Sequence, residues 1–144
     1  MRFWDTSAIV PLCILQPASP RSQSLYEEDP DMIVWWSAPV ECMSAFARLR
    51  REGRLDESGE RLALEVLDAL WERWREVNPS QALREQARRV LRIHSLTASD
   101  ALHLAAALDW SGVPASGAFV TFDDRLAGAA RDEGFTVHGR AQAE

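Results

Sequence analysis

Lysine is missing from this 144-residue chain: all sixteen basic residues are arginine, set against 22 acids, for a formal charge of −6. The missing lysine counts against aspartate-based phosphotransfer domains and phosphatases, which use a lysine to hold the phosphoryl group. Asp5-Thr6-Ser7 also lacks the second acid such phosphatases carry two residues on. Cysteine is scarce, with Cys13 and Cys42 and no CxxC, and His94, His103 and His138 are scattered. That excludes a disulfide framework and a zinc site, and reads as two reduced thiols in a cytoplasmic protein. No apolar run approaches a membrane span, and the start MRFWDTSAIVPLCIL has Asp5 where a signal peptide needs its apolar stretch. The acidic balance is the wrong sign for a broad nucleic-acid-binding surface. There is no internal repeat and no low-complexity tract.

What is present suffices for a real core. At 47% hydrophobic with six tryptophans, the chain reads as one domain over residues 1–139, with 140–144 expected as a disordered tail. The central stretch is Ser95 to Trp110, SLTASDALHLAAALDW. Thr97 is a good N-cap and Asp100 stands three residues on. Ala101, Leu102, Leu104 to Leu108 are apolar almost all round, so this helix should be buried. Arg2–Trp4 reads as a first strand, followed by a helix over Ala8–Leu15 with Pro11 in its first turn. A short helix over Ser19–Glu28, a strand over Met32–Trp36 and a helix from Ser37 to Gly53 follow. Further helices are expected from Asp56, through Leu83–His94 and after Asp123, with strands near Trp74–Asn78, at Ala118–Phe122 and at Phe135–His138. Alternating strands and helices imply a mostly parallel sheet with helices on both faces, whose ligand site lies beyond the strands' carboxyl ends.

Four acids fall at strand-to-helix junctions or first helical turns: Asp5, Glu41, Asp100 and Asp123. Acids at helix starts are common, because caps and the helix dipole favour them. If the strands are parallel, however, these four meet on one edge of the sheet. Two carboxylates about 4–5 Å apart repel by roughly 3–4 kcal/mol at an effective dielectric of about 20. A group of four must take up protons or bind a hard cation, and oxygen ligands suit Mg²⁺ or Mn²⁺.

The words around these acids resemble the PIN-domain ribonucleases, specifically VapC-type toxins of bacterial toxin–antitoxin pairs. The matching pieces are DTSA at Asp5–Ala8, Glu41 in APVECMSAFARL, SDALHLAAAL at Ser99–Leu108 and VTFDDRLAGAARDEG at Val120–Gly134. Together they span nearly the whole chain. The resemblance implies a PIN-like three-layer α/β sandwich, a metal-dependent endoribonuclease, and Asp5, Glu41, Asp100 and Asp123 as catalytic and metal-binding residues with Mg²⁺ or Mn²⁺. It also implies an RNA substrate, a cognate antitoxin and a homodimer. Asp124 follows Asp123; the family's TxD pattern selects Asp123 and leaves Asp124 to cap the helix.

Smaller signals carry two readings each. Ser7 and Thr121 would orient carboxylates or water, or serve as ordinary caps and packing. Arg48, seven residues after Glu41, would meet an RNA phosphate or stay solvated. Arg84, Arg88 and Arg92 form a helical row for RNA or antitoxin, although Glu85 suggests a salt-bridged outer face. His94 and His103 read as packed core histidines. Six tryptophans and the alanine-rich helix exceed what a small domain hides, which favours a dimer. The alternative to an enzyme is a PIN-fold interaction module that has lost activity.

Overall fold

A computed structural model describes residues 1–140, so the expected tail, apart from Arg140, lies outside the described residues. The chain runs β1 (Arg2–Trp4), α1 (Thr6–Cys13), α2 (Ser19–Glu28), β2 (Met32–Trp35), α3 (Ala38–Arg51), α4 (Glu57–Trp71), β3 (Arg75–Val77), α5 (Gln81–Ile93), α6 (Ala98–Ser111), β4 (Ala118–Val120), α7 (Asp124–Glu133) and β5 (Thr136–His138). The strands form one sheet in the order β3-β2-β1-β4-β5, with every neighbouring pair parallel.

Period-two alternation divides the core into two halves. Phe3, Ile33, Trp35 and Phe119 face α5, α6 and α7, while Trp4, Met32, Val34 and Val120 face α1, α3 and α4. The result is the three-layer sandwich expected from the alternating pattern. Helix α6 is buried nearly all round, from Ala101 through Leu108, and its alanines let it pack closely between α5 and the sheet. The alanine-rich helix is therefore hidden within one copy of the chain and gives no support to a dimer. Trp36 and Trp71 do remain exposed, at 54% and 45%. No helix among the described residues is long and apolar enough to cross a membrane.

Asp56 accepts from Gly59 N at 2.7 Å and Thr97 from Asp100 N at 3.2 Å, starting their helices where the sequence places them, while Ser80, accepting from Leu83 N at 3.0 Å, starts α5 two residues before the expected Leu83. Gly134 ends α7 in the left-handed region at φ 112°, with Ala115 O 3.0 Å from where a β-carbon would stand. Three expectations need correction. Helix α1 starts at Thr6 because Asp5 is its cap, so it begins two residues early and Pro11 lies inside it, beyond the first turn. Strands β2 and β4 are shorter than expected: Trp36 lies outside β2, and at Phe122 the backbone N–H turns to Ser7 Oγ at 2.9 Å. Asp123, not Asp124, caps α7, accepting from Leu126 N at 2.8 Å, while Asp124 is exposed.

His94 is packed at the end of α5, but it is also tied to α7. Its Nε2 lies 2.9 Å from Glu133 Oε1, and Arg89 donates to Glu133 Oε2 at 2.9 Å. Burial raises the Glu133 carboxyl, but these two partners outweigh it and hold it below the ordinary value of 4.5. A depressed acid stabilises the fold above its unfolded pKa, and that contribution fades as pH falls through the folded value. Glu133→Gln is therefore expected to cost on the order of 1–2 kcal/mol near neutrality. It should also flatten the loss of stability on acidification below the ordinary carboxyl range, as read by urea unfolding across pH.

Candidate active site

The order in which strands are added to the sheet reverses at β1, with β2 and β3 on one side and β4 and β5 on the other, all parallel. A crevice opens at such a switch point beyond the strands' carboxyl ends. Asp5 follows β1 there and Asp123 follows β4 after Thr121 and Phe122. Helix α3 brings Glu41 in its first turn, and α6 brings Asp100 in its own.

Asp5 is only 4% exposed. Its Oδ2 accepts from Ser7 Oγ at 2.6 Å, Thr121 Oγ1 at 2.9 Å and Ser7 N at 3.3 Å. The two hydroxyls lie 3.2 Å apart, and Thr121 Oγ1 also accepts from Asp123 N at 3.1 Å. Ser7 and Thr121 thus lock one oxygen of Asp5 and join the β1–α1 turn to the β4–α7 turn. The other oxygen, Oδ1, points toward His103.

His103 lies one turn after Asp100, on the same face of α6, and is 1% exposed. Its Nε2 is 2.7 Å from Glu41 Oε2, and its Nδ1 is 3.6 Å from Asp5 Oδ1 without a hydrogen-bond partner. Ser37 donates to Glu41 Oε2 at 2.8 Å, and Ser99 donates to Oε1. Burial raises the Glu41 carboxyl, but the His103 contact, then Ser99 and Ser37, bring it down to about 2. Burial likewise pushes the His103 imidazole down, and the hydrogen bond to Glu41 with the charges of Asp5, Glu41 and Asp100 hold it above the ordinary range. His103 is buried as expected of a core histidine, but its partners are the acids. The signal available in the sequence was its three-residue spacing from Asp100; Ser37 and Ser99 gave none.

Asp100 shows the crowding directly. Its carboxyl is raised above the ordinary aspartate value by burial and then by the negative charges of Asp5 and Asp123. In charge and donor type the set fits a hard divalent cation. No three such groups among the described residues close around a common point, and Glu41 is held on His103, Ser37 and Ser99. Arg48 is exposed and lines a cavity of about 400 Å³ with Ser7, Gln16 and Glu41. Cys13 is a half-buried thiol, pushed up to about 12 by desolvation, and the buried Cys42 is raised as well. Arg88 pairs with Glu85 at 3.1 Å, as the salt-bridged reading of the α5 outer face expects.

Comparison with known proteins agrees with this architecture. The model of the PIN domain family matches residues 2–132. Among curated proteins nothing matches. Solved structures similar in fold include VapC20 of Mycobacterium tuberculosis, a sarcin-ricin loop cleaving toxin, at 20% identity and TM-score 0.66, covering 94% of this chain and 97% of that one. FitAcB of Neisseria gonorrhoeae matches at 17% identity and TM-score 0.66, covering 95% and 96%. VapBC2 of Rickettsia felis, bound to a fragment of promoter DNA, matches at 11% identity and TM-score 0.65, covering 97% and 98%.

An acid whose folded pKa is raised binds its proton more tightly in the native state, so it opposes folding once pH exceeds the unfolded value. Asp100→Asn is accordingly expected to raise the melting temperature of metal-free protein near neutrality. The gain should vanish below the carboxyl range, where both forms are neutral; thermal melts across pH read both outcomes.

Proposed function

The chain belongs to the PIN domain family, and from that premise we propose that it is a metal-dependent endoribonuclease, the toxin of a toxin–antitoxin pair. The observation that carries the reading is geometric: Asp5 and Asp123 follow the neighbouring parallel strands β1 and β4 at the switch point, and Thr121 bonds to both Asp5 Oδ2 and Asp123 N. Asp5, Glu41, Asp100 and Asp123 would hold Mg²⁺ or Mn²⁺. When bound, such an ion neutralises charge on a phosphodiester and makes a water nucleophilic at neutral pH. The chain's own groups prepare the place. Ser7 and Thr121 fix Asp5 Oδ2, and Oδ1 stands 3.6 Å from His103 Nδ1. Glu41 stays anionic far below neutrality, because His103 sits against it. Arg48, on the cavity wall beside Glu41, would meet a phosphate of the RNA.

For partners we propose a cognate antitoxin and a second copy of the chain. Similar folds include toxin–antitoxin complexes, and the exposed Trp36, Val40, Met43 and Trp71 offer apolar surface for contact. The two free thiols fit the cytoplasm. Sedimentation at tens of micromolar should give a symmetric dimer; a monomer at that concentration would refute the self-association.

Asp5→Asn decides the chemistry. Asparagine is nearly isosteric and caps a helix about as well as aspartate. Its carbonyl oxygen can still accept from Ser7 and Thr121, so the fold should survive while the ion site loses a charge. The expected result is cleavage of total cellular RNA by the wild type with Mg²⁺ or Mn²⁺, stopped by EDTA, and none by Asp5→Asn. Equal cleavage by both would remove Asp5 from the site. If the wild type is silent with every ion, the interaction-module reading replaces the enzyme.

A further inference from the structure

The cavity beside Glu41 does not end at Arg48. It shares Gln16 with a second cavity of about 420 Å³ walled by Arg21, Arg54 and Arg140. That one shares Arg21 and Arg140 with a third, of about 510 Å³, which adds Arg131. Five of the sixteen arginines thus line three adjoining cavities that start beside Glu41 and end beside Asp124, in a chain whose net charge is −6. They come from separate parts of the fold: α2, α3, the turn after α3, α7 and the segment after β5. Such a convergence is not the outer face of one helix.

The middle cavity contains no carboxylate in its wall. Among the described residues the ion pair recorded for this set is Arg54 with Glu52, at 3.6 Å and well exposed. Arg21 spends Nε on Gly139 O at 3.2 Å, which fixes the guanidinium and leaves its two terminal nitrogens for another acceptor. Planar guanidinium forks match phosphate oxygens in pairs. The aromatic side chain in the middle wall, Phe122, is 4% exposed and presents no stacking platform. The trough is therefore made for a charged backbone and not for bases.

We propose that Arg21, Arg54 and Arg140 form a phosphate-binding trough for single-stranded RNA, holding the backbone of nucleotides that continue beyond the acid site without reading their sequence. The proposal rests on the nuclease reading for the identity of its ligand, and it locates the basic contact that the acidic composition requires to be local.

The test is binding of a fluorescein-labelled oligouridylate, followed by anisotropy in EDTA over a salt series, with Asp5→Asn as parent so that nothing is cleaved. Each lost phosphate contact should reduce the slope of log affinity against log salt by about 0.7 for a single strand. Combined Arg21→Ala, Arg54→Ala and Arg140→Ala should reduce it by about 2 and weaken binding roughly a hundredfold at ~0.1 M salt. The corresponding lysine substitutions should restore the slope, since they return the charges. Because Arg21 also secures Gly139, the pair Arg54→Ala and Arg140→Ala is measured beside it, with an expected change of about 1.4. An unchanged slope in the folded pair, or a parent that binds no RNA, overturns the trough. Cleavage is scored separately on protein with Asp5 restored. A lost slope without any cleavage keeps the trough and removes the nuclease, whereas cleavage with an unchanged slope does the reverse.

Discussion

Asp5 carries a carboxylate into a place where 4% of the residue meets solvent. A buried carboxylate without donors costs far more than a small domain can offset, and the surroundings are arranged around that demand. Two hydroxyls and a backbone N–H converge on one oxygen. To deliver them, the β1–α1 and β4–α7 turns must lie side by side, which requires β1 and β4 to be parallel neighbours in register, as they are from Arg2 with Ala118 to Trp4 with Val120. The switch point, the shortened β4 and the position of Asp123 all follow from this one adjacency.

A second tension is electrostatic. Burial and then the charges of Asp5 and Asp123 raise the Asp100 carboxyl, while Glu41 relieves its own burial through His103. The imidazole sits between Glu41 and Asp5, 2.7 Å from one and 3.6 Å from the other, and its Nδ1 is left without a hydrogen-bond partner. It tempers the negative charge of the pocket from within the protein. The arginines add a wider balance: in a chain of formal charge −6, Arg21, Arg54, Arg131 and Arg140 collect positive charge in adjoining cavities.

The fold was legible because its signals are local. Thr97 and Asp56 announce their helices at the N-terminus, and MIVW and AFV read as buried parallel strands whose alternate residues serve both faces. The convergence of Asp5 and Asp123 was legible once the strands were taken as parallel. What escaped depended on contacts far apart in sequence. Nothing local reveals that His103 meets Glu41, 62 residues away, or that Ser99 meets it across 58. Pro11 was misplaced because Asp5 performs two tasks, capping α1 while standing in the pocket, and a cap two residues earlier moves proline beyond the first turn. The cap of α7 was assigned to Asp124 for the same reason, since Asp123 both caps α7 and lends its charge to Asp100's surroundings.

The Ser7–Asp5–Thr121 knot spans 116 residues between its carboxylate and its threonine. During translation the ribosome releases Asp5, Glu41 and Asp100 long before Thr121 and Asp123. Until β4 emerges, β1 lacks one of its two neighbours and the Asp5 carboxylate lacks a hydroxyl donor. Contacts of such long sequence separation form late in folding. The acid cluster is thus assembled by the closing segment of the domain, so a partly synthesised chain lacks the complete cluster.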